Sequence, residues 1–105
     1  MIRFLYSLYD SKTGYMAPTD FCSDVAAVRS LEAAVIHKTE TFFDTHPEDF
    51  SLFRVAEFDT SSGRVMSYNS PVFVESVSSV SLRLSSDRSS SFDDDSKSGV
   101  ALEEI

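Results

Sequence analysis

Hydrophobic and polar positions divide the chain into a few short periodic segments. Residues 2–9 alternate, with Phe4, Tyr6 and Leu8 on one side and Arg3, Leu5, Ser7 and Tyr9 on the other. A two-residue period rich in aromatic side chains predicts a β-strand. Asp10-Ser11-Lys12-Thr13-Gly14 then reads as a turn in which Gly14 can take a left-handed conformation, and Tyr15-Met16-Ala17 pairs briefly back before Pro18. The period then changes. Val25, Val28, Leu31 and Val35 recur at spacings of three, three and four, which predicts one amphipathic helix capped by Ser23 or Asp24. Ala26, Ala27, Ala33 and Ala34 raise its helix propensity, Arg29 and Glu32 are placed to face water, and His37 and Lys38 fall in the last turn, where positive charge complements the helix dipole.

Thr45-His46-Pro47-Glu48 has a capping-box layout with Thr45 as cap, predicting a single helical turn that feeds the next strand. Ser51 to Phe58 is the clearest strand, with Phe53 and Val55 on one face and Leu52, Ala56 and Phe58 on the other. Apolar groups on both faces predict a central strand, or an edge that something covers. Asp59 to Gly63 forms a hairpin turn, Arg64 to Tyr68 returns, and Val72-Phe73-Val74 adds a short strand after Pro71. The expected fold class is α+β: one helix packed on a small antiparallel sheet in β-α-β-β order, followed by a disordered C-terminal tail.

The tail is read from composition. Only Phe92 of the aromatic residues lies beyond residue 75, and the chain from Ser76 reads SVSSVSLRLSSDRSSSFDDDSKSGVALEEI. Ordering a residue costs about 1–2 kcal/mol of backbone entropy, and so polar a stretch buries too little to offset it. The expected division is therefore a compact domain over 1–75 and a Ser/Asp-rich, mostly disordered tail over 76–105. An alternation around Val77, Val80, Leu82 and Leu84 allows the last strand to continue to about Leu84.

Charge and cysteine content narrow the class. The 105 residues carry 9 basic and 17 acidic side chains, a net charge of -8, with 42% hydrophobic residues. No apolar run approaches the roughly 20 residues that cross a bilayer, so no membrane partner is expected. Cys22 stands alone and forms no internal disulfide, in keeping with a small soluble intracellular protein.

Few residues suggest chemistry. His37, His46 and a carboxylate sketch a zinc site, but without a recurring ligand spacing; the two histidines read instead as a helix-end cation and a turn residue. Cys22 near a helix start reads as a small core filler rather than a nucleophile. Glu48-Asp49 and the run Asp93-Asp94-Asp95 lack the geometry of an acid–base pair, and Gly14, Gly63 and Gly99 form no phosphate loop. No enzyme, metal or cofactor is expected. Single-stranded DNA is a candidate ligand, with Arg3, Arg54 and Arg64 on phosphates and Tyr6 or Phe53 stacking on bases, if the three strands that carry them are neighbours. The acidic balance opposes it, because phosphate binding relies on basic side chains displacing counterions.

The order of short motifs resembles the small nonstructural protein of gokushovirus-type microviruses, tiny single-stranded DNA bacteriophages. The resemblance runs over about residues 2–68, through Tyr9-Asp10-Ser11-Lys12-Thr13-Gly14, Met16-Ala17-Pro18, Arg29, His46-Pro47-Glu48-Asp49-Phe50 and Leu52-Phe53-Arg54-Val55-Ala56-Glu57-Phe58-Asp59. Ala56 stands where that family usually has glycine, which implies that a glycine bulge is absent. The resemblance implies a nonenzymatic accessory protein in the host bacterial cytoplasm, outside the mature virion. Such proteins are often labelled DNA-binding, or compared to the protein that switches genome synthesis to single-strand packaging. An adaptor without nucleic-acid binding is the alternative, acting as a homodimer joined at a sheet edge or on phage replication or capsid proteins. In that reading the arginines form salt bridges. HPEDF is read first as a structural joint between helix and strand, or else as an interaction surface with His46, Glu48 and Asp49 as its polar edge.

Overall fold

The computed structural model describes residues 1–85; the rest of the predicted tail lies outside the described residues. The fold is α+β. Strands β1 (Ile2–Asp10), β2 (Gly14–Tyr15) and β3 (Thr19–Phe21) precede helix α1 (Asp24–Ile36) and the short α2 (Phe42–Thr45). A 3-10 turn, Pro47–Asp49, leads into β4 (Phe50–Asp59) and β5 (Val65–Ser76). Residues 77–85 form a further helix, α3. All strand pairs are antiparallel in the order β2-β1-β4-β5, with β3 also on β1. The long central strand β4 is the one whose apolar residues occupy both faces.

Local chemistry sets the ends of these elements. Ser23 caps α1, its hydroxyl accepting from the Ala26 amide at 3.2 Å. The helix closes before both basic residues expected in its last turn: Ile36 is its last residue, His37 is the cap and Lys38 lies beyond it. The amides of Lys38 and Thr39 return to the carbonyls of Val35 and Ala34, with Lys38 at φ 52, the left-handed position that glycine usually takes. Gly14 and Gly63 have positive φ in the two predicted turns. Thr45 is not a cap: it ends α2, and His46, which makes no side-chain capping bond, precedes the 3-10 turn. The predicted single turn feeding β4 is present, and it is pinned from outside, because the Asp49 carbonyl accepts from the Ser11 amide in the β1–β2 turn.

The core lies on one face of the sheet. Tyr6, Phe50 and Leu52 from the strands meet Ala27 and Leu31 of α1, Phe43 of α2, and Val77 and Val80 of α3. The inward stripe of α1 runs through Ala27, Leu31, Ala34 and Val35, while Val25 is 64% exposed. Cys22 is exposed rather than a core filler. The largest departure from the sequence reading is α3. Residues 76–85 were expected as tail or strand, yet Val77 and Val80 are fully buried, and Leu84 packs against them. Ser76 caps this helix through the Ser79 amide, and Arg83 ties it to Glu75 of β5 and Glu32 of α1 at 3.1 and 2.9 Å.

Bulges redirect β4. The pairing with β1 slips between Leu5 and Tyr6, so that Ala56 opposes Leu5 while Arg54 opposes Tyr6. Arg54 shares the core face with Leu52 by simple alternation, whereas Ala56, beyond the slip and opposite Leu5, leaves the set predicted with Leu52. One extra residue exchanges the faces of everything beyond it. The bulge forms without glycine, since Ala56 is not among the positive-φ residues. On the other side, Tyr68 to Pro71 bow out opposite Val55, so the predicted return and short further strand are two halves of one interrupted β5.

Two stability changes follow. Val80→Ala should cost about 2 kcal/mol through lost burial and a residual cavity. Lys38→Gly should raise stability by about 0.5 kcal/mol, because relief of a left-handed strain of about 1–2 kcal/mol exceeds the entropy cost of glycine. Urea unfolding of the full chain measures both.

Candidate functional site

Arg54 and Tyr6 stand side by side on the core face. Both reach Oδ1 of Asp24 in the first turn of α1: the Tyr6 hydroxyl donates at 2.6 Å and Arg54 Nη1 at 3.0 Å. The guanidinium carbon of Arg54 lies 5.1 Å from the centre of the Phe4 ring and 5.6 Å from that of Tyr68, within cation–π range. Its Nε is buried without a hydrogen-bond partner, so the two rings supply the remaining stabilisation on that side. The Tyr68 hydroxyl donates to Glu57 at 3.2 Å. Burial, reinforced by the bond to Asp24, raises the Tyr6 phenol well above its ordinary 10.0, and burial also raises Tyr68.

These contacts reassign two residues expected to meet DNA. Tyr6 is 2% exposed, with its ring edge-on to Phe21, and has no face for a base. Arg54 is committed to Asp24, so Arg54→Glu would set two carboxylates together and report on folding, not on phosphate contact. Arg3 opposes Phe58 on the other face and pairs with Asp20. Arg64 is exposed in the β4–β5 turn, where its carbonyl accepts from the Asp59 amide. Phe53 alone of the proposed stacking pair lies on the outer face. The five predicted residues are therefore scattered: Tyr6 and Arg54 on the core face, Arg3 and Phe53 on the outer face, and Arg64 in a turn. Along β4 the Arg3 position and Phe53 are separated by five residues, about 15 Å.

The outer face carries a set that the sequence reading did not assemble. Tyr15 of β2, Tyr9 of β1, Phe53 of β4 and Phe73 of β5 form one row across four strands. Ring centres are 4.6 Å apart for Tyr9–Tyr15, and 5.7 and 5.8 Å for Tyr9–Phe53 and Phe53–Phe73. None belongs to the core cluster, and Tyr15 and Phe73 are 49% and 57% exposed. Ser7 opposes Phe53 and is buried, its hydroxyl donating to the Met16 carbonyl at 2.6 Å. A small residue there leaves room for the neighbouring rings. The available signal was the alternation itself, which places Tyr9 opposite in sense to Tyr6; the pairing register needed to align it with Phe53 and Phe73 is a long-range property.

The HPEDF segment works as a joint. His46 Nδ1 lies 2.8 Å from the Thr45 hydroxyl, Glu48 is exposed, and Asp49 meets Ser11 through its carbonyl. His46 and Glu48 present a polar edge to solvent. Among the described residues, no three His, Cys, Asp or Glu side chains gather as metal ligands, and no helix is long and apolar enough to cross a membrane.

The raised phenols give a signed pH dependence. Above their ordinary value the unfolded chain has released protons that the folded chain retains, so stability falls as pH rises through 10.0 and beyond. Urea midpoints measured between about pH 8 and 11 should show that decline, and Tyr6→Phe should flatten it.

Neither a curated protein nor a solved structure matches this chain. A family model does, over residues 3–80, a span that begins in β1 and ends on the buried Val80 of α3. The chain with its half-covered sheet thus belongs to the Phage ORF5 protein family and is a phage protein.

Proposed function

We propose that this phage protein is a nonenzymatic accessory protein of single-stranded DNA genome replication or packaging, and that its working surface is the outer face of the sheet. The observation that carries the reading is the row Tyr15, Tyr9, Phe53 and Phe73, partly exposed and outside the core. Such a row is a stacking platform that tolerates any base, each stacked base contributing about 1–3 kcal/mol. The gokushovirus-like motif order supports the placement in a single-stranded DNA phage, acting in the host cytoplasm and outside the mature virion. Arg3 and Arg64 are the cations proposed for phosphates, with Lys12 in the β1–β2 turn as a third.

A second reading rests on charge. Arg3, Lys38, Arg54 and Arg83 all form ion pairs, and the chain carries a net charge of -8. An adaptor that holds a phage replication or capsid protein on the same aromatic face, with His46, Glu48 and Asp49 as a further polar contact, needs no phosphate-binding cations.

Anisotropy of a labelled single-stranded oligonucleotide separates the two. With one to three phosphate contacts, log affinity should fall against log salt with a slope of only about -1 to -2. Phe53→Ser should weaken binding about tenfold, equivalent to about 1.4 kcal/mol of lost stacking. Absence of wild-type binding at low salt would discard the DNA reading and leave the adaptor.

A further inference from the structure

We propose that the free edge of β5 is a pairing surface for a second copy of this chain, which joins two sheets into one continuous antiparallel sheet. β5 is the last strand in the order β2-β1-β4-β5, and among the described residues no strand lies on its other side. It is 12 residues long, and in an antiparallel strand alternate residues direct their N–H and C=O groups away from the existing neighbour. Val65, Val72 and Phe73 on this strand are 56%, 41% and 57% exposed.

The opposite edge of the sheet is protected by the usual devices. There β1 meets two short strands, separated by the stretch from Met16 to Pro18, and charged Asp10, Lys12 and Asp20 line the border. β5 differs: from Val65 through Val74 it carries no charged side chain. Charge selects the occupant. A basic protein finds no carboxylate on this strip, and a nucleic acid finds no cation. A second β5 is equally long and equally neutral, and a two-fold axis makes the strip its own complement. Repulsion between two chains of charge -8 is least where the joint holds no charge. Assembly also closes, because each copy offers only one long edge. Pro71, without an N–H, and the bulge from Tyr68 to Pro71 interrupt this edge too, and confine the pairing to the halves of β5 on either side of them.

This inference does not rest on DNA binding, and its test contains no nucleic acid. Light scattering on the eluting full chain at about 100 μM, where a Kd near 10 μM keeps most chains paired, should give twice the monomer mass of 11.7 kDa. Phe73→Lys, on the edge, should return the mass to 11.7 kDa. Tyr15→Lys, at the far end of the aromatic row, should leave the doubled mass. Hydrogen exchange on the unmodified protein, which does not depend on a variant folding, should show β5 amides losing protection on dilution while β1 amides keep theirs. A wild-type mass of 11.7 kDa at that concentration would overturn the proposal. So would dissociation by Tyr15→Lys, or β5 protection indifferent to dilution.

Discussion

Asp24 is the point on which the two layers of this protein depend. One carboxylate oxygen receives a hydroxyl from β1 and a guanidinium from β4, so the start of α1 is fixed to two adjacent strands at once. The position suits a carboxylate for a second reason: it lies in the first helical turn, where negative charge complements the helix dipole. The register slip in β4 acts beyond this contact. Without the slip beside Leu5, strict alternation would still place Arg54 with Leu52, but Ala56 would also turn inward and Leu5 would oppose a different residue. The bulge lets one strand feed the core at one end and the outer face at the other.

The sheet consequently has two unlike faces. The core face uses its polar side chains internally: Tyr6, Asp24, Arg54, Tyr68 and Glu57 satisfy one another or lie against rings. The outer face carries aromatic rings and few engaged polar groups. An arginine count made from the sequence treats Arg3, Arg54 and Arg64 as equivalent. The fold makes them different: an outer-face ion pair, a half-buried structural cation and an exposed turn residue.

Much of this architecture was legible because it is local. The alternation in residues 2–9, the glycines of the two turns, the Ser23 cap and the centrality of β4 all follow from patterns a few residues long. The errors have a common origin in tertiary choice. Val77, Val80 and Leu84 fit a helical spacing of three and four, and Ser76 is a good cap, yet serine-rich composition favoured a tail. The helix forms because its two valines complete the core with Tyr6, Leu31, Phe43 and Leu52, a tertiary contact that composition cannot register. Val25 and Ala27 show the same effect. The periodic stripe puts the larger side chain in the core, but it is Ala27 that is buried there. The aromatic row was the least legible feature, since it joins residues as far apart as Tyr9 and Phe73 through two pairing registers.

The placement of Val77 and Val80 also bears on how the chain acquires its structure. Strand β1 begins at the second residue, but its long partner β4 ends at residue 59, and the two most completely buried valines come later still. A nascent chain therefore exposes aromatic β1 without its long partner until the residues of β4 have been made. Folding that requires such distant segments is slow compared with local helix formation. The early strand consequently passes through an interval in which neighbouring chains compete for the surface that β4 finally covers.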